Sequence, residues 1–366
     1  MAKILTFLGK GGSGCTTLAI ATAKQQVAAG QRVLLMIQSV TPGPALLLGQ
    51  PLGPEPTQVS AGLWAVQLHS TTLLENSWQT LKGLESQYLR TPFLKDVYGQ
   101  ELGILPGMDS ALALNALREY EASGNYDVIV YDGHSAMETL RMLGLPEILD
   151  WYVRRFRGVF QQSDLGRVLA PFWQPIAAAV LASDWSGDML ERPTGEMRSL
   201  LEQGRDIVSD PHRVLAFLVT TPTEVAIATA RYLWGSAQQI GLTVGGVLVN
   251  QGDLGPDHER AFAPLPHFPL PICSDQDWER LVAALPDPQP LADQATRATI
   301  IDWANKTVML FLPSFNKSQV KLTQYGPEVT IEAGDQRRNL LLPPELQGKA
   351  VTGAKFQDQY LVISFG

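Results

Sequence analysis

The sequence feature that most constrains the fold is a glycine-rich segment, GKGGSGCTT, at residues 9–17. It follows the short apolar run Ile4–Leu8 and precedes a helix-like stretch that ends near Gly30. A strand, a glycine loop and a helix in this order favour phosphate binding, because backbone N–H groups converge in the loop and the helix N-terminus adds partial positive charge. A plain tight turn is the alternative interpretation, but it does not need four glycines followed by two threonines. The segment therefore predicts a site for the phosphates of a nucleotide.

One position of this segment departs from the usual phosphate-binding pattern. The pattern G-x-x-x-x-G-K-[ST] has lysine immediately before the hydroxyl residue, where this chain has Cys15 before Thr16. A thiol is neutral at physiological pH unless it is activated, and each charge-assisted hydrogen bond lost costs about 1.5 to 3 kcal/mol. Thr16 keeps the hydroxyl that contacts magnesium. The motif thus predicts nucleotide binding, whereas hydrolysis does not follow from it, and Lys10 is the candidate for the missing charge.

Length and composition narrow the class of protein. The chain has 366 residues, enough for two or three domains. Its net charge of -8 argues against a nucleic-acid partner. Cys15 and Cys273 are too few for a disulfide framework or a four-cysteine metal site within one chain, which fits a reducing, cytoplasmic compartment. The first residues do not resemble a signal peptide, and the most apolar later segment, 168–182, is too short to span a bilayer, so no transmembrane segment is predicted.

Apolar runs alternate with helical patterns through the first two-thirds of the chain. This alternation predicts an α/β fold, a mostly parallel sheet with helices on both faces and ligands at the carboxyl ends of the strands. Residues from about 143 to 213 contain no convincing strand and are interpreted as a helical insertion. We therefore predict a nucleotide-binding domain over residues 1–304. The strand-like runs are 33–37, 63–68, 128–131, 214–219 and 244–249.

The pattern changes near the C-terminus. After a proline-rich passage, a helical bridge is predicted up to about Asn305, and short runs of period-two alternation separated by glycines follow it. They predict a small, sandwich-like all-β domain over residues 305–366. A module of about 60 residues has a thin core, so it is expected to pack on the larger domain or on another chain.

A second motif supports the glycine loop. The segment YDVIVYD, residues 126–132, is a strand whose last residue is Asp132. An aspartate there can hold a magnesium-bound water beside the phosphates, with Thr16 as its inner partner. The alternative is that Asp132 only caps a helix.

Together these motifs resemble the arsenite-pump and tail-anchored-protein-targeting ATPases, the ArsA-like branch of the P-loop ATPases with a deviant Walker A motif. KGGSGCTT resembles the family's KGGxGKTT, PGMDSALALNAL with YDVIVYD resembles the stretch that leads to its metal aspartate, and ETLRMLGLP resembles its second switch. VTTPTEVAIATARYL, GGVLVNQ and PLPHFPLPICSDQDW are similar to its later strands and its last nucleotide-contacting loop. The similarity covers roughly residues 1–304. It implies ATP and Mg²⁺ as ligands and a homodimer as the working unit.

The resemblance also implies roles for individual residues. Lys10 corresponds to the signature lysine that reaches the partner's phosphates across a nucleotide-sandwich dimer; the alternative is a solvated loop lysine. Asp132 and Thr16 would hold the metal, and Asn250 would contact adenine. The phosphate-binding set would be Gly11, Gly12, Ser13, Gly14, Cys15, Thr16 and Thr17.

Several departures from the family limit the function that the resemblance implies. The family's first switch carries an aspartate that positions the attacking water, but this chain has IQSVTPGPALL at residues 37–47 and no acidic residue before Glu55. Slow or absent hydrolysis is therefore expected. No C-x-x-C occurs, and the two cysteines do not match the zinc site of the targeting ATPases, the metalloid site of the arsenite pump or a cluster-bearing reductase.

Two regions bear on the substrate. Apolar residues of the helical insertion would line a groove for a client's membrane segment, although packing against the sheet is the favoured alternative. They are Leu165, Val168, Leu169, Phe172, Trp173, Ile176 and Val180. Residues 308–343 and 353–365 resemble the α-crystallin domain of small heat-shock proteins but lack that family's apolar tail after Gly366. An exposed strand edge there would accept an extended peptide; the alternative is a packing module.

The leading hypothesis is a cytoplasmic, dimeric, ATP-binding protein of the ArsA-like class that handles apolar client segments or another substrate. Its nucleotide would control an open-to-closed change, with weak hydrolysis. The rival hypothesis is a non-hydrolysing chaperone or scaffold that has kept the ATPase fold.

Overall fold

A computed structural model of the protein describes residues 1–88, 104, 107–162, 194–273 and 278–366. Its largest feature is an eight-stranded sheet in the order β3-β4-β2-β5-β1-β6-β7-β8. All neighbours pair in parallel except β3, which is antiparallel to β4. The predicted mostly parallel α/β sheet is therefore confirmed. The strands are β1 (Lys3–Gly9), β2 (Val33–Ile37), β3 (Thr57–Ser60), β4 (Leu63–Gln67), β5 (Val128–Asp132), β6 (Val214–Thr220), β7 (Val244–Asn250) and β8 (His267–Leu270).

Helices cover both faces of this sheet, because its central strands are apolar on both sides. One apolar layer joins Leu18 and Ile20 of the first helix to the sheet. The opposite layer joins Leu140, Leu143 and Trp234 to the other face. The described helices are α1 (Cys15–Ala28), α2 (Gly43–Leu48), α3 (Ser70–Tyr88), α4 (Met108–Ala122), α5 (Ala136–Gln162), α6 (Thr194–Ser209), α7 (Glu224–Gln239), α8 (Pro256–Phe262), α9 (Trp278–Ala284) and α10 (Pro288–Gln294).

The predicted helical insertion falls on α5 and α6. In the described part of residues 143–213 there is no strand, and α5 begins before the predicted insertion and continues through Pro146. The predicted client groove, from Leu165 to Val180, lies outside the described residues. Among the helices that the structure describes, none is both long enough and apolar enough to span a bilayer.

The C-terminal residues form two antiparallel sheets, in the orders β14-β15-β10-β9 and β11-β12-β13. Val308, Ile331 and Ile363 are fully buried between them. This arrangement confirms the predicted all-β domain. Its strands are β9 (Thr299–Asp302), β10 (Thr307–Phe311), β11 (Val320–Tyr325), β12 (Glu328–Ala333), β13 (Gln336–Leu341), β14 (Val351–Gln357) and β15 (Tyr360–Phe365).

The prediction of a helix up to about Asn305 is wrong. Residues 299–302 form β9, which pairs with β10 and so extends the C-terminal sheet ahead of the predicted start at residue 305. The sequence of β9, TIID, is rich in β-branched residues, which favour a strand over a helix.

The C-terminal domain packs on α7 of the larger domain. The Phe311 ring lies edge-on to the Trp234 ring, with centroids 5.6 Å apart. A Cβ added at Gly235 would lie 2.5 Å from both the Phe315 ring and the carbonyl oxygen of Pro313. Only glycine allows this close approach, so the thin core of the small domain is completed by the larger one.

Candidate nucleotide-binding site

The glycine loop, residues 10–14, connects β1 to α1 at the carboxyl edge of the large sheet. The Ser13 N–H donates to the carbonyl oxygen of Lys10 at 2.9 Å and closes the turn. Gly14 has φ +100°, in the left-handed region, and a Cβ added there would lie 2.3 Å from Asn250 Nδ2. Gly14 is thus required both by its backbone conformation and by the space around it.

Asn250 reaches the loop from the end of β7. Its buried Nδ2 donates to the carbonyl oxygen of Ser13 at 2.9 Å. This bond fixes the amide orientation and turns Oδ1, which accepts no hydrogen bond from the described residues, away from the loop. The predicted adenine-contacting residue therefore also supports the phosphate loop.

The first turn of α1 carries Cys15, Thr16 and Thr17 and contains no acidic residue. The positive end of this helix is consequently not neutralised locally. Burial raises the pKa of the Cys15 thiol to about 11. The contact of the thiol with Ser13 Oγ at 3.7 Å lowers this pKa in part. The thiol is therefore protonated and supplies no charge to a phosphate at physiological pH.

Lys10 lies on the outer side of the loop. Its Nζ donates to the carbonyl oxygen of Gly11 at 3.1 Å, in an exposed position. The described residues give Lys10 no ion pair. Its charge is therefore available to a group outside the chain.

Thr16 and Asp132 lie together, as the two sequence motifs predict. Asp132 ends β5, which pairs with β1, and the residue is only 3 % exposed. Burial raises the pKa of Asp132 to about 6, while a hydrogen bond from Thr16 partly lowers it. A buried carboxylate beside a hydroxyl provides the hard oxygen ligands that Mg²⁺ prefers.

The remaining ligands of such an ion would come from outside this pair. The described residues contain no group of three or more His, Cys, Asp or Glu side chains able to hold a metal. Mg²⁺ commonly uses one or two protein ligands, waters and phosphate oxygens. The Thr16–Asp132 pair fits that mode of binding.

Sequence reasoning missed two glutamines at the same edge of the sheet. Gln38 directly follows β2, and its Oε1 accepts hydrogen bonds from the Tyr131 hydroxyl at 2.7 Å and from the His134 N–H at 3.2 Å. Gln67 ends β4, and its Nε2 donates to the carbonyl oxygens of Ser39 and Thr41 at 2.7 and 3.1 Å. The available signal was a polar residue at the carboxyl end of a parallel strand.

Comparisons with known proteins agree with this architecture. The family model described as "Anion-transporting ATPase" matches residues 2–263, and the model described as "HSP20-like domain found in ArsA" matches residues 304–365. A "Putative arsenical pump-driving ATPase" of Prosthecochloris vibrioformis is 27% identical over 395 residues, covering 99% of this chain and 96% of the relative. "Protein Rv2184c" of Mycobacterium tuberculosis is 34% identical over 286 residues, covering 73% and 63%. "ATPase GET3" of Malassezia globosa is 24% identical over 250 residues, covering 66% and 70%.

Proposed function

The chain belongs to the ArsA family of anion-transporting ATPases, and from that premise we propose that it binds ATP with Mg²⁺ and works as a nucleotide-controlled homodimer with weak hydrolysis. The observation that carries the proposal is the Thr16 hydroxyl against the buried Asp132 carboxylate, directly beside the glycine loop. This arrangement supports binding of a metal-complexed triphosphate rather than of a simple anion.

Each part of the site has a role in this proposal. Backbone N–H groups of Gly11, Gly12 and Gly14 bind phosphate oxygens, together with the first turn of α1 that carries Thr17. Thr16 and Asp132 would hold Mg²⁺, which would neutralise phosphate charge when bound. The free Oδ1 of Asn250 is a suitable acceptor for the amino group of adenine.

The charge that the loop lacks supports the proposed homodimer. Cys15 is neutral, and the exposed Lys10 has no ion pair among the described residues. We propose that Lys10 binds the phosphates of the partner's nucleotide, so that ATP draws two subunits into a closed state. Hydrolysis is weak in this proposal, because the chain has no acidic residue before Glu55 to position the attacking water.

The substrate is proposed in terms of chemical class. We propose an apolar peptide or membrane-protein segment as the client, because the chain resembles the tail-anchored-protein-targeting ATPases. An arsenical substrate has less support, because only Cys15 and Cys273 are available as thiolate ligands. The same low cysteine content supports a cytoplasmic location.

A non-hydrolysing chaperone or scaffold is the second candidate. The observation that favours it is β14, an edge strand of the C-terminal domain that, among the described strands, pairs with β15 alone. Most of its residues are exposed, and its free edge is suited to an extended peptide.

Calorimetric titration of the full chain with ATP and Mg²⁺ tests the proposal. We expect saturable binding and an increase in melting temperature, both lost in Thr16→Ala. Thr323→Ala, which removes an exposed threonine from β11, is the matched control and should bind as the wild type does. Absence of heat and of a thermal shift at millimolar ATP would exclude the nucleotide function.

A further inference from the structure

Gln38 occupies a special position between the second and fifth strands. It is the first residue after β2, it is 9 % exposed, and its N–H donates to the carbonyl oxygen of Asp132 at 3.0 Å. Because β5 lies between β2 and β1, Gln38 is one strand away from the metal aspartate on the side opposite the glycine loop.

The orientation of the Gln38 amide is set by its neighbours. A backbone N–H can only donate, so the atom that faces the N–H of His134 must be the carbonyl oxygen, Oε1. The Tyr131 hydroxyl, which is fully buried, donates to the same oxygen at 2.7 Å. Two donors thus occupy Oε1, and Nε2 is directed away from both.

The Nε2 group of Gln38 keeps both of its N–H donors. Among the described residues Nε2 has no acceptor. The atom is not fully enclosed by the protein, so it remains in contact with solvent. The neighbouring Gln67 differs, because its Nε2 is bonded to the carbonyl oxygens of Ser39 and Thr41. Gln67 holds the loop after β2, while Gln38 presents a fixed, unused donor from that loop.

We infer that Gln38 Nε2 donates to the terminal phosphoryl group of a nucleoside triphosphate and thereby distinguishes a triphosphate from a diphosphate. This inference rests on the proposed function. In nucleotide switches, the terminal phosphate and its metal ion order the loops that follow the strands beside the phosphate loop. A neutral amide fits this role, since it donates without adding a charge near Asp132.

The hydrogen bond from His134 connects a second loop to Gln38. His134 lies between Asp132 and the start of α5, and its N–H is bonded to the same amide group. Binding of the terminal phosphate by Nε2 therefore links the loop after β2 to the loop that begins α5. Loss of that phosphate releases both loops together.

The test compares the affinities of a non-hydrolysable ATP analogue and of ADP, each with Mg²⁺, by calorimetry. Wild type should prefer the analogue. Gln38→Met, which keeps the side-chain length, should weaken analogue binding about tenfold or more, as expected for a hydrogen bond to a charged group, and change ADP binding by less than about twofold. Gln38→Glu keeps acceptors for Tyr131 and His134 but adds a carboxylate that repels phosphate, so it should lose still more analogue affinity, and its thermal unfolding transition checks that it is folded. Gln58→Met, at an exposed position on β3, is the matched control.

Hydrogen exchange adds a readout independent of affinity. The backbone amides from 134 to 140 should gain protection with the analogue in the wild type and not in Gln38→Glu. An unchanged ratio of analogue to ADP affinity in both variants would overturn the inference and leave the proposed function intact. Failure of the wild type to bind either nucleotide would overturn both.

Discussion

At Asp132 the requirements of stability and of the proposed metal binding oppose each other. Burial raises its pKa to about 6, above the ordinary value of 3.8. A carboxyl whose pKa is raised by folding stabilises the protein fully below its unfolded pKa, and this contribution is lost as the pH rises through about 6. At neutral pH Asp132 therefore carries a destabilising charge in the ligand-free protein, which a bound cation would relieve.

Asp132→Asn should consequently stabilise the ligand-free protein at pH 7.5, by about 1 to 3 kcal/mol, because the neutral amide removes the buried charge. The same variant should lose the thermal stabilisation by Mg²⁺ and ATP. Thermal unfolding at pH 7.5, with and without ligand, measures both effects.

The matched control lies just before the same strand. The Arg32 guanidinium holds the pKa of Asp127 down at about 2, so Asp127→Asn should lower the stability at pH 7.5 and keep the ligand response. Asp132→Asn with a lower melting temperature than the wild type would contradict the interpretation.

Cys15 is the second residue whose environment leads to a prediction. Since its thiol is protonated, Cys15→Lys should restore a charge to the phosphate loop and raise ATP affinity about tenfold or more. Cys15→Met adds length without charge and should not raise it. Calorimetry with ATP and Mg²⁺ on both variants separates charge from size, and equal affinities would exclude the missing charge as the limiting factor.

At the scale of elements, the success of sequence prediction followed the strength of local patterns. Strands with continuous apolar runs, such as β2 and β6, were predicted, while β3, β8 and β14 were missed. The sequence of β3 is TQVS, and that of β8, HFPL, contains a proline that an edge strand tolerates. Short, polar edge strands pair because a neighbouring strand is available, which is information that local periodicity does not contain.

The same distinction applies to the site. The glycine loop and Asp132 could be predicted as site residues because each lies in a local motif with a fixed spacing. Gln38 was missed because its partners, Tyr131 and His134, are more than ninety positions away in the sequence. They meet only because β2 pairs with β5.

The contact between α5 and the C-terminal domain consists of partly buried charges. Glu328 of β12 accepts hydrogen bonds from Arg154 and, at 3.0 Å, from Trp151 Nε1. Arg154 also pairs with Asp150 at 2.9 Å. The helix that follows Asp132 is thereby bonded directly to the β domain.

Glu328→Ala should destabilise the full chain by about 2 to 4 kcal/mol, because it leaves Arg154 and Trp151 without their shared acceptor in a largely buried place. Glu345→Ala, on the exposed segment after β13, should change the stability little. Urea unfolding of both variants measures the difference. Equal unfolding free energies would mean that the contacts of Glu328 do not stabilise the packing of α5 on the domain.

At the scale of the whole molecule, the proposed dimer joins two subunits that each have a net charge of -8. Each subunit would also bind a ligand that is itself anionic. Two such subunits repel each other unless positive charge lies at the contact. Lys10 is exposed, lies beside the phosphate loop and has no ion pair among the described residues. Association of two subunits through each other's nucleotides would therefore depend on this lysine.

The consequence is a dependence of ATP affinity on protein concentration. If the closed dimer binds ATP more tightly than the monomer does, mass action makes the apparent dissociation constant fall as protein concentration increases over roughly a hundredfold range. Lys10→Ala should abolish this dependence, and sedimentation velocity should show no ATP-induced dimer. Lys321→Ala removes an exposed lysine of β11 and should dimerise as the wild type does. An ATP-induced dimer of unchanged strength in Lys10→Ala would show that another group supplies the charge.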